Sequence, residues 1–129
     1  MSVYYFHPFL MFSGFVLLCS GFIAVKFFRR KRWWLKFHKI TNVVGSFLIL
    51  TGVFAILIYK FTIGGQHLKS PHSYIGFFIA ILTIINPFIG FLQIKGFHSS
   101  INIKKIHRIS GRLLIGLMAF NIILGLFIV

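Results

Sequence analysis

The stretch PHSYIGFFIAILTIINPFIGFLQI, residues 71–94, decides how the rest of the chain is read. It is 24 residues long and carries no Asp, Glu, Lys or Arg. An α-helix needs ~20 apolar residues to cross a bilayer, so this run predicts a membrane-spanning helix. Its polar residues are not scattered. His72 is followed by Gly76 at +4, Asn86 at +14 and Gly90 at +18. At about 100° per residue these offsets return to within roughly 40° of the histidine's own direction, which draws one stripe along the helix.

The same register recurs further on, where His107 is followed by Gly111, Asn121 and Gly125. A variant of it lies upstream: His7 precedes Gly14 and Gly21, and His38 precedes Gly45 and Gly52, at +7 and +14 in both cases. Each histidine opens an apolar run, at 4–25, 37–59, 71–94 and 106–129. Four runs of spanning length in 129 residues, 58% of them hydrophobic, predict an all-α integral membrane protein. The expected architecture is a four-helix bundle forming a single domain over 1–129, because a bilayer leaves the backbone few other ways to satisfy its polar groups.

The charge distribution orients it. Fourteen Lys and Arg stand against no acidic residue. Seven lie between Lys26 and Lys39 and five between Lys95 and Arg112, while the intervening connection has only Lys60 and Lys69. With alternating helices the twelve share one face, so that face is cytoplasmic and both termini are outside. The basic face then meets cytoplasm and anionic headgroups, and nucleic acid is not implied. Trp33 and Trp34 suit an interfacial anchor. The first run has no basic flank before it, unlike a cleaved signal peptide. Cys19 sits mid-helix and reads as packing.

This orientation sorts the histidines by depth. His7 and His72 share the outer leaflet and His38 and His107 the inner, as two sites related by an approximate two-fold axis in the membrane plane. Ionisable groups at such depth mark function. Zinc wants four ligands, and neither acids nor a cysteine cluster complete a set. A haem needs only two neutral imidazoles on facing helices and an apolar slot, which the glycines can supply by allowing close approach. Plain helix packing is the other use for glycine, and periodicity does not divide the two. The +14 and +18 residues lie ~21 and ~27 Å along the helix from their histidines, so Gly21 and Gly90 belong beside the inner site, Gly52 and Gly125 beside the outer. Asn86 and Asn121 either bond across helices or orient a ligand imidazole. A cofactor-free proton conductor using the histidines is the rival from another class, weakened by the missing carboxylates.

The segments HPFLMFSGF, FHKITNVVG, PHSYIGFF, NPFIGFL, KKIHRISGRLL and NIILGL resemble the cytochrome b561 family, with most likeness to the core of its DOMON-associated members. The resemblance covers all four helices. It implies two b-type haems, His7 paired with His72 and His38 with His107, the pairing that orientation gives. It implies electron transfer across the membrane from a cytoplasmic donor to an outer acceptor such as ferric iron or monodehydroascorbate. No DOMON domain and no basic ascorbate-associated motif are seen, so a quinol, a protein partner and ascorbate all stand as donors. A subunit of a larger redox complex is the alternative, and a homodimer is possible. The composition suggests a prokaryotic plasma membrane. Haem propionates would need cations; Lys39, Arg108 and Arg112 lie close to the inner histidines in sequence, and Arg112 or Lys39 is the expected charge partner of an inner propionate. Ser70 and Pro71 read as a helix cap and first position, and Pro8 as a first-turn proline. His67 and His98 fall in connections and read as solvated.

Overall fold

The computed structural model describes residues 3–96 and 102–128. Four helices follow in order: α1 Val3–Phe27, α2 Trp34–Thr62, α3 Pro71–Ile94 and α4 Ile103–Ile128. All four are long and apolar enough to cross a membrane. No strand occurs among the described residues. The third run has the expected bounds, but α2 and α4 start three residues before their apolar runs do. Hydropathy marks where lipid begins, whereas backbone hydrogen bonding continues into the headgroup layer. Trp34 and Lys36 therefore belong to α2.

The ends are set locally. Ser70 caps α3 in a reciprocal box with Ser73: the Ser73 amide donates to Ser70 Oγ at 3.3 Å and the Ser70 amide to Ser73 Oγ at 3.1 Å. Pro71 takes the position just inside, where a missing N–H costs nothing. Asn102 Oδ1 accepts from the Lys105 amide at 3.1 Å and serves the same purpose for α4. Gly64 (φ +64°) and Gly96 (φ +73°) turn the chain out of α2 and α3 in the left-handed conformation. Pro8 corrects the expectation of a first-turn place. It lies inside α1, where proline forfeits a main-chain hydrogen bond.

Each helix packs on its chain neighbours, and α1 closes the ring against α4. Helices α1 and α3 therefore face each other across one diagonal and α2 and α4 across the other. The tightest seam joins α1 to α2. A Cβ at Gly14 would lie 2.8 Å from the Gly45 carbonyl oxygen and 2.6 Å from Ile49 Cγ1, and one at Gly45 would lie 3.0 Å from the Gly14 oxygen. Lipid gives helices no hydrophobic reason to associate, so close backbone approach has to supply the packing. Gly14→Ala is expected to lower stability by roughly 1–3 kcal/mol, because the obstacle is backbone and has to shift. Thermal unfolding in detergent measures it.

Midway along the bundle, Met11, Leu18, Ile49, Ile79, Leu114 and Met118 form the core, with Ile49, Ile79 and Met118 fully buried. The outward faces are apolar too: Phe61, Phe127 and Leu126 are each at least three-quarters exposed. In water such a surface would aggregate. Against acyl chains it is the ordinary exterior.

Candidate functional site: two histidine pairs

The core separates two polar places, one toward each end of the bundle, and each is a pair of imidazoles across a diagonal. The rings of His7 and His72 have their centres 6.4 Å apart with planes at 88°. Those of His38 and His107 are 6.1 Å apart, also at 88°. The +14 spacing acquires a meaning here. His7 Nδ1 lies 2.9 Å from the Gly52 carbonyl oxygen and His38 Nδ1 lies 3.1 Å from that of Gly21. His72 Nδ1 is 3.0 Å from the Asn121 oxygen and His107 Nδ1 is 3.1 Å from the Asn86 oxygen. Each of these four histidines thus reaches the +14 residue of the antiparallel helix beside it, and the two helices of each hairpin exchange this bond reciprocally.

A carbonyl oxygen only accepts, so all four Nδ1 atoms carry the hydrogen and donate it. The remaining nitrogen, Nε2, keeps its lone pair. A metal–imidazole nitrogen bond is ~2.0–2.1 Å, so two rings that share one ion have their centres about 6 Å apart. Both pairs have that separation. No group of three or more His, Cys, Asp or Glu side chains able to hold a metal occurs among the described residues. Two nitrogens suit a metal whose other positions are filled by its own cofactor, and they are too few for a structural zinc.

The glycines divide by task. Gly14 and Gly45 belong to the α1–α2 seam. A Cβ on Gly90 would meet His107 Cε1 at 2.8 Å, and one on Gly125 would meet His72 Cε1 at 3.0 Å, so these two make room for imidazoles. Gly76 and Gly111 lie against asparagine: their Cβ atoms would fall 3.4 Å from Asn121 Nδ2 and 3.2 Å from Asn86 Nδ2. The asparagines orient the histidines through main-chain oxygens, while their side chains cross to α4 and α3. Asn86 Oδ1 accepts from Ser110 Oγ at 2.6 Å, whereas Asn121 Oδ1 is buried without a partner among the described residues. Ile75 stands where Ser110 stands in the other half.

A cavity of ≈ 640 Å³ opens beside His38 and His107, within the range of cofactor sites. Asn42, Asn86, Gly90 and Gly111 line it, together with five cations, Lys26, Arg29, Lys104, Arg108 and Arg112. Arg112 is thus one of the residues facing this cavity. Lys39 is exposed and outside that lining. Lys26 and Arg29 come from α1 and the connection after it, and the fold brings them to the cavity beside residues of the other three helices. Asn42 and Ser110 were also missed: they sit at +4 and +3 from His38 and His107, where the repeats differ. His67 is exposed in the α2–α3 connection, and His98 lies outside the described residues.

The family described as eukaryotic cytochrome b561 matches residues 6–128. That description lends no support to the prokaryotic membrane expected from composition. No curated protein and no solved structure matches the chain.

Proposed function

Since this chain belongs to the cytochrome b561 family, whose haem-dependent work is electron transfer across membranes, we propose that it holds two b-type haems and conducts between the two faces. His7 and His72 hold one haem and His38 and His107 the other, each through Nε2. The bound haem supplies a one-electron couple that changes charge without making or breaking a ligand bond. The protein's part is to hold and to separate. Four Nδ1–H donations fix the tautomer and the ring orientation, which also raises ligand basicity. Gly90 and Gly125 clear the space beside the ligand rings, and the central apolar core keeps water from bridging the sites. Arg112 and its four cationic neighbours face the inner cavity and suit haem propionates.

The observation that carries this reading is that all four Nδ1 atoms are engaged by main-chain oxygens while the rings stand in pairs about one shared ion apart. The positive-inside distribution supports a cytoplasmic face at His38 and His107, with both termini outside. With haem bound at both pairs, electrons would pass in the direction expected of the family, from a donor at the cation-lined cavity to a small-molecule or protein acceptor at the outer pair. The donor is a small molecule or protein that reaches the basic face.

The test is an absorption spectrum of the purified protein with haem quantified per chain. Two haems with the sharp reduced bands of six-coordinate bis-histidine iron are expected. A colourless protein, or one haem per chain, removes the proposal.

A further inference from the structure

The two-fold relation lets one site be compared with the other, residue by residue. Counting from the histidines, Leu10 and Met11 after His7 correspond to Thr41 and Asn42 after His38. Space confirms the correspondence. A Cβ on Gly52 would meet Leu10 Cβ at 3.2 Å and Met11 Sδ at 3.5 Å, while one on Gly21 would meet Thr41 Oγ1 and Asn42 Nδ2. One niche, next to the carbonyl that orients the ligand, thus holds a thioether in the outer site and an amide in the inner.

The amide has a defined direction. Asn42 Nδ2 lies 2.7 Å from the His38 carbonyl oxygen, which only accepts, so the NH₂ group is on that side. The same Nδ2 lies 3.1 Å from His38 Nδ1. That ring nitrogen already gives its hydrogen to Gly21. Two hydrogen-bearing nitrogens therefore face each other, and the positive end of the amide dipole rests against the imidazole. Such an edge opposes the electron density that the Gly21 bond pushes into the ring. It makes the histidine a poorer donor to iron and disfavours the more positive, oxidised state. The five cations lining the inner cavity act with the same sign.

We propose that Asn42 is a positioning residue that acts through His38 to raise the reduction potential of the inner haem, making two otherwise matched sites unequal. This rests on the two-haem reading above, and the experiment separates the two. The purified holoprotein is titrated potentiometrically, with the inner wave assigned as the one missing from His107→Ala. Asn42→Leu is expected to lower the inner reduction equilibrium constant about threefold to tenfold, tenfold being ~59 mV for one electron, with the outer wave unmoved. Met11→Asn, the reciprocal change, is expected to raise the outer wave. An inner wave that stays or rises in Asn42→Leu with both haems bound overturns the proposal and leaves the two-haem reading standing. If Asn42→Leu does not fold, Met11→Asn decides alone, and an outer wave that stays or falls overturns it. Wild-type protein without two haems fails at the spectrum, before any titration, and takes both down.

Discussion

His107→Ala protein is expected to retain one haem per chain where the unaltered protein holds two, with the remaining spectrum that of the outer site. Alanine has no nitrogen to offer, and His38 alone would be left to hold the proposed inner haem. The bundle is expected to survive, because the His107–Asn86 bond is one contact worth about 1 kcal/mol or less in a membrane protein. The outer pair draws on His7 and His72 with carbonyls of Gly52 and Asn121, none of which touches position 107. His72→Ala should give the mirror result, losing the outer haem and keeping the inner. Haem quantification with resolved potentiometric waves reads both. Unchanged haem content in either variant contradicts the ligand assignment. So does loss of both haems from a protein that still folds.

The second large effect comes from residues with no side chain. Gly90→Leu is expected to deplete the inner site and Gly125→Leu the outer, each weakening haem retention by roughly 10–100-fold, the scale seen when support behind a metal ligand is lost. At Gly90 the added Cβ would sit 2.8 Å from His107 Cε1. An imidazole can swing away, but here its Nδ1 is tied to the Asn86 carbonyl at 3.1 Å, so yielding costs the bond that sets its orientation. The control is in the same helix as His107: Gly116 has open space where its Cβ would go, and Gly116→Leu should leave both haems in place. Competition for haem by an apo-globin scavenger, followed as a dissociation rate, grades the three variants. Equal rates throughout would mean that Gly90 and Gly125 do not shape the sites.

The fold was legible because two independent signals coincided. Four apolar runs of spanning length gave the helices, and the recurrence of histidine with small residues at fixed intervals gave the faces they turn inward. Depth alone paired His7 with His72 and His38 with His107, and the rings do meet in those pairs. The meaning of the +14 position was harder to see. Spacing put Gly21, Gly52, Asn86 and Asn121 near the opposite site, yet their contribution is a backbone oxygen, which every residue has. What sequence registers at Gly21 and Gly52 is the smallness that lets the helices close in. For the asparagines, spacing left two roles open, a bond across helices or orientation of an imidazole: the Asn86 side chain makes the first with Ser110, while the main-chain oxygens of Asn86 and Asn121 serve the second. Asn42 was invisible for a physical reason: a search for repeats keeps what the copies share, and Asn42 answers to Met11. Lys26 and Arg29 were out of reach because a cavity rim is assembled from separate helices.

One consequence follows from the reciprocal bonds within each hairpin. Because His7 reaches Gly52 while His38 reaches Gly21, the two ends of α1 and α2 are locked in register together, fourteen residues apart. At ~1.5 Å per residue this works as a fixed gauge of about 21 Å between the levels of the two histidine pairs, written into the polypeptide and independent of the lipid around it. A thicker or thinner bilayer would be met by tilt or by deformation of the lipid. The tunnelling gap would stay the same, so the hop between sites should proceed at one rate in membranes of quite different thickness.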